Sequence, residues 1–204
     1  ASSSSVKGHY SEGNSEVFGS EIRPTGTVNT TDSINGLDKS IEHSVTASGD
    51  FSRDARNNGV AILFFTTDSK YVYTYLAVID PSDKVTTTTY KLLSTIPNNI
   101  YSQIDYTGLI SVAVGNCIPG NENELGISPD EIVVTYPVNN SGNVQLTTKI
   151  LSLIDTTENA WKNADSWIIS KDISVDTEGK LSNLTMGDLN EDGYEDVVVT
   201  TSYG

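Results

Sequence analysis

One motif, met three times, constrains this chain more than anything else in it. A Gly-Asp or Gly-Asn pair begins at Gly49, Gly115 and Gly187. After a polar loop each is followed by an apolar run, Val60-Ala61-Ile62-Leu63-Phe64-Phe65, Ile132-Val133-Val134-Thr135 and Val197-Val198-Val199-Thr200. The spacings of 66 and 72 residues mark an internal repeat. β-Branched residues favour strands, so each copy reads as a polar loop feeding a strand.

The third loop is the richest in chemistry. Asp188, Asn190, Asp192 and Asp196 stand at loop positions 1, 3, 5 and 9, the Tyr194 carbonyl is available at position 7, and Gly193 follows the third side-chain oxygen. Hard cations such as Ca²⁺ take oxygen ligands at this kind of spacing, and a glycine lets the chain turn where a Cβ would clash. An EF-hand would need an acid at position 12 with a helix after it. Position 12 is Val199, ahead of further β-branched residues, so EF-hand and dockerin-like readings fail and a calcium loop feeding a strand remains. The competing reading is an Asp/Asn/Gly-rich turn that holds no ion.

The other copies are weaker. Asp50, Ser52, Asp54 and Asn58 repeat the offsets, but the glycine is missing and Arg53 and Arg56 intrude. Fewer anionic ligands lower cation affinity, and arginine could replace the ion's charge in a relic loop. The middle loop is about seven residues longer, and Asn116, Asn121, Asn123 and Asp130 make only a loose set. A polar surface loop is the expectation there.

Around the loops the pattern is that of strands. Residues 1–44 are a Ser/Gly/Asn-rich lead-in with one strand from Ser40 to Val45. The first unit, 45–108, carries strands at Val60–Thr66, Tyr71–Ile79 and Val85–Leu93, with Asp80-Pro81-Ser82-Asp83 as a turn. Tyr71, Tyr73 and Tyr75 fall on one face, a packing surface between units, with Val72, Leu76 and Val78 on the other. The second unit, 109–180, has strands at Leu109–Val114, Glu131–Tyr136, Val144–Leu153 and Ile168–Val175. A hairpin turn falls at Asn139-Asn140-Ser141-Gly142, and an insertion at Asp155–Ser166 is expected to form a short helix. Residues 181–204 start a third unit. Four strands per unit of about 70 residues suits the radial repetition of a β-propeller.

Composition excludes several functions. A net charge of −15 and a pI near 4.3 disfavour nucleic acid and anionic membranes. No apolar run approaches the roughly 18 residues of a span. The lone Cys117 cannot staple the fold and reads as a small buried hydrophobe. Sequons occur at Asn29, Asn139 and Asn183.

Residues 187–199 resemble the FG-GAP (VCBS-type) repeat of integrin-α-like β-propellers, and the stretch from Gly49 looks like a degraded copy. The likeness covers roughly residues 45–204, with only the last copy specific. It implies an all-β fold of propeller blades, about two and a half four-stranded repeats of a larger ring. It also implies one Ca²⁺ held by Asp188, Asn190, Asp192 and Asp196 with the Tyr194 carbonyl, and more weakly one at Asp50, Ser52, Asp54 and Asn58. Propellers have about four to eight blades, so the expectation is a fragment, or a ring completed by further blades from the same or another chain.

Family members are mostly extracellular or at the cell surface and serve adhesion or ligand binding. The leading expectation is therefore a non-catalytic, calcium-stabilised module for a protein or carbohydrate ligand. One alternative is the propeller of a carbohydrate-active enzyme; another is a structural repeat whose blade edge is completed by a partner. Nucleophile elbow, HExxH and phosphate-loop motifs are absent, and the two histidines, His9 and His43, lie in or near the lead-in. Trp161 and Trp167 could offer a sugar-stacking platform, but packing against a sheet is the expectation.

Overall fold

Alternation of apolar and polar residues is realised as three antiparallel sheets. The structure, a computed structural model, describes residues 41–52, 59–80, 89–101, 108–120, 128–154, 157, 159–173 and 181–202. The lead-in up to residue 40, Arg53 to Asn58, the Pro81–Asp83 part of the expected turn, and Asn121 and Asn123 lie outside the described residues.

The first sheet is a four-stranded meander of β1 (Ile41–Gly49), β2 (Gly59–Thr67), β3 (Tyr71–Ile79) and β4 (Tyr90–Pro97). The second repeats it with β5 (Ser111–Gly115), β6 (Glu131–Asn140), β7 (Asn143–Leu153) and β8 (Trp167–Ile173). The third is two-stranded, β9 (Leu181–Gly187) with β10 (Asp196–Ser202). The all-β expectation and the four-strand plan hold for the first two units.

Local chemistry explains the turns. Asp68 Oδ1 accepts the Lys70 and Tyr71 N–H groups at 2.6 and 2.7 Å, closing the β2–β3 hairpin. The β6–β7 hairpin closes on Asn140↔Asn143 with Ser141 and Gly142 both at positive φ, 54° and 92°. That is the type I′ geometry matching strand twist, and it falls where the sequence placed it.

Three expectations need correction. β1 runs on to Gly49, and β4 to Pro97 instead of ending at Leu93. The polar Ser94-Thr95 hid a strand that packs on the second unit, where Ser94 Oγ donates to the Pro137 carbonyl at 2.8 Å. The insertion is two 3₁₀ turns, Ala160–Lys162 and Ala164–Ser166, not one helix. Asn163 divides them, its side chain accepting the Asp165 N–H.

The sheets stack face to face. Ala61, Leu63, Phe65, Val72, Leu76, Val78 and Ile96 of the first unit pack on Ile132, Val134, Tyr136, Leu151 and both tryptophans of the second in one buried core. On the opposite side of the second sheet, Val133 and Ile150 meet Leu184, Met186, Val197 and Val199 of the third. The face between the first two units is thus the Val72/Leu76/Val78 side. The tyrosine face lies on the opposite side of the sheet, away from the second unit. It packs with Ile62 and Phe64, with Phe64 stacked on Tyr75 and Tyr73 on Tyr75.

Candidate functional site

The ladder aligns the three loops by a common first pair: Gly49↔Gly59, Gly115↔Glu131 and Gly187↔Asp196. Each loop therefore joins the first two strands of its unit. Level with Asp196 stand Glu131 and Gly59, so the first loop is one residue longer than the third, and Asn58 precedes the aligned position.

In the third loop the side chains at positions 1, 3, 5 and 9 all fold back on the loop's own amides. Asp188 Oδ1 and Asn190 Oδ1 both accept the Asp192 N–H, at 3.1 and 3.0 Å. Asp188 Oδ2 accepts from Gly193 N at 2.9 Å, and Asp192 Oδ1 accepts from Tyr194 N at 2.9 Å. Asp196 Oδ2 reaches across to Leu189 N at 3.1 Å. Gly193 has φ 89° and Glu191 φ 63°, so the glycine after position 5 does the conformational work expected of it. The side chains at these positions all offer oxygen, the donor a hard cation takes. Among the described residues, however, no three His, Cys, Asp or Glu side chains are gathered tightly enough to form a metal cage.

The first loop is built differently. Asp50 is buried, and its Oδ1 accepts from Ser52 N at 3.2 Å and Ser52 Oγ at 3.4 Å. Asp54 and Asn58 lie outside the described residues. Phe51, at the second loop position, is fully buried between Trp161 and Trp167, with ring centroids 6.0 and 5.1 Å away.

What the sequence did not reveal is a clasp joining the first loop to the second unit and the second loop to the third. Asp130, just before β6, donates its N–H to the Asp50 carbonyl at 2.8 Å, and its Oδ2 accepts the Asp50 N–H at 2.8 Å. Glu195, just before β10, donates its N–H to the Asn116 carbonyl at 2.8 Å, and its carboxylate accepts back from the Asn116 backbone. Residues 50 and 116 each follow their glycine; residues 130 and 195 each precede a second strand. The middle loop is thus a joint and not merely a polar surface. Buried Glu131 secures it further, accepting from Cys117 N at 2.9 Å and Ile118 N at 3.2 Å.

Burial raises the Asp130 carboxyl above the ordinary carboxylate range, and the Asp50 N–H partly offsets that rise. Glu195 is likewise raised, first by burial and then by the charge of Asp130. The glycines are needed because these groups come so close. A Cβ on Gly49 would sit 2.7 Å from Asp130 Oδ2 and collide with Val114; one on Gly115 would run into the Glu195 carboxylate.

The tryptophans are buried, and Trp167 Nε1 donates to the Trp161 carbonyl at 2.9 Å. They pack, as expected, and present no open stacking platform. Cys117 is half-buried against the third unit, and burial pushes its thiol up to about 12. Among the described residues no helix is long and apolar enough to cross a membrane. No protein-family model, curated protein or solved structure matches the chain.

Proposed function

We propose that this chain is a run of propeller-type blades stabilised by Ca²⁺ at the third loop, serving as a non-catalytic extracellular module that binds a protein or glycan ligand. The observation that carries the reading is the third loop. Asp188, Asn190, Asp192 and Asp196 all turn inward at their 1, 3, 5, 9 spacing around a left-handed glycine. The repeated stacking of sheet on sheet supports the blade assignment.

Asp188, Asn190, Asp192 and Asp196 with the Tyr194 carbonyl would hold the ion. Bound, it would offset two of the three negative charges that Asp188, Asp192 and Asp196 place in the loop. Ion binding would then add directly to folding stability. The first loop, with Arg53 and Arg56 in it and no glycine after its third ligand position, is the weaker candidate.

The test is a thermal melt in millimolar Ca²⁺ and in excess chelator, with Asp192→Ala alongside. Calcium is expected to raise the melting point by several degrees in the native chain and not in the variant. An unchanged melting point in both would leave the loop a turn without an ion.

A further inference from the structure

The triplet Asn139-Asn140-Ser141 is exposed along its whole length. It forms the tip of the β6–β7 hairpin, where Asn139 stands opposite Val144 and Asn140 opposite Asn143. Among the described residues β5 pairs with β6 only up to Thr135, and β8 with β7 only from Thr148 on. The tip therefore runs past both neighbouring strands as a two-stranded ribbon.

The two ends of the Asn139 amide differ. Its Oδ1 accepts the Gly142 N–H at 3.0 Å and helps to close the turn. Its Nδ2 donates no hydrogen bond to the described residues. A sugar attached at Nδ2 replaces one hydrogen there and leaves Oδ1 an acceptor, so the Gly142 bond survives. Ser141 supplies the hydroxyl that an acceptor triplet requires, on an exposed side chain with backbone φ 54°.

We propose that Asn139 is an acceptor for an N-linked glycan. The donor is an oligosaccharide carried on a polyprenyl diphosphate. Asn139 Nδ2 forms a bond to C1 of the first sugar, and the bond from C1 to the diphosphate oxygen breaks. The lipid diphosphate leaves with that electron pair, and the nitrogen gives up one proton. The place suits a bulky, solvated group. Asn139 lies towards the opposite end of β6 from Glu131, so the sugar stands away from the middle loop and its clasps.

The other two triplets lack this setting. Asn183 lies within β9, level with Thr200 of β10, and its neighbour Leu184 is buried against the second unit. Asn29 lies outside the described residues.

The inference rests on the extracellular part of the proposed function, because such glycans are added to exported chains, and not on calcium. Its first test uses the chain recovered from its source. Treatment with peptide N-glycosidase in heavy-oxygen water turns a glycosylated asparagine into a mass-tagged aspartate, and the tag is expected at position 139. A chain found outside the cell with Asn139 bare overturns this inference alone. A chain found in the cytosol and nowhere else overturns the extracellular reading and this inference with it.

The second test translates the full chain, behind a cleavable export signal, in the presence of microsomal membranes. Ser141→Gly removes the hydroxyl, keeps Asn139 with its Gly142 bond, and suits the left-handed backbone at that position. Relative to the native chain it is expected to lose one glycan's step in gel mobility, while the melting point of the unmodified chain stays unchanged. Identical mobility of the two chains overturns the assignment to Asn139.

Discussion

Glycine 49 shows how one missing side chain sets the distance between two sheets. Its Cα faces Val114 and the Asp130 carboxylate closely enough that a methyl group has nowhere to go. Val114 is β-branched, stiff, and anchored in β5, so relief would have to come from moving the strand. Gly49→Ala is expected to cost about 1–3 kcal/mol, in line with other overpacked sites. Gly187→Ala, with none of the described residues within 4 Å of the added methyl, should stay within about 0.5 kcal/mol of the native chain. Urea unfolding of the two variants side by side provides the comparison. Equal losses would mean that glycine's conformational freedom, not the joint, is what these positions supply.

The 3₁₀ insertion between β7 and β8 is the element that locks the first unit to the second. It brings Trp161 and Trp167 around Phe51, pairs Lys162 with Asp80 at 2.9 Å, and receives Thr89 Oγ1 at the Ala164 N–H, 2.7 Å away. Lys91 Nζ adds a bond to the Trp167 carbonyl at 2.6 Å. Trp167→Ala removes the largest buried side chain at this joint and is expected to cost about 3–5 kcal/mol. Equilibrium denaturation would measure it, and a loss below about 1 kcal/mol would show that the insertion is dispensable to the joint. The insertion also marks the limit of what the sequence disclosed. Period-two runs such as Tyr71–Ile79 announce a strand because alternation is local. The glycine and acids of the loops were legible for the same reason, being matched by offset within one copy. The pairing of Asp130 with Asp50 spans 80 residues, and no local pattern encodes it. Nor does polarity identify a strand such as Ser94-Thr95, whose burial depends on a neighbouring sheet.

At the scale of the whole molecule, the stacked cores hold titratable phenols, which makes the fold sensitive to alkali. Tyr136 is buried in the joint between the first two units, and burial pushes its phenol up to about 12, helped by the charge of Asp172. Tyr90 lies edge-on to Phe64 in the first unit, its hydroxyl oxygen buried with no hydrogen-bond partner among the described residues, and burial pushes it to about 12 as well. In the unfolded chain both would ionise near about 10. Between those values the folded state keeps protons that the unfolded state has lost, so stability falls as pH rises. The contribution is fully present below about pH 10 and is lost as pH climbs through about 12. A chain already at −15 at neutral pH gains further self-repulsion over the same range. Tyrosinate absorbance is therefore expected to rise in two phases, the second coinciding with loss of β-sheet signal by circular dichroism. Tyr90→Phe should suppress part of the second phase at little cost to neutral stability, because the hydroxyl it removes has no hydrogen-bond partner among the described residues. A single phase centred near about pH 10 with the sheets intact would show that neither phenol is held out of water.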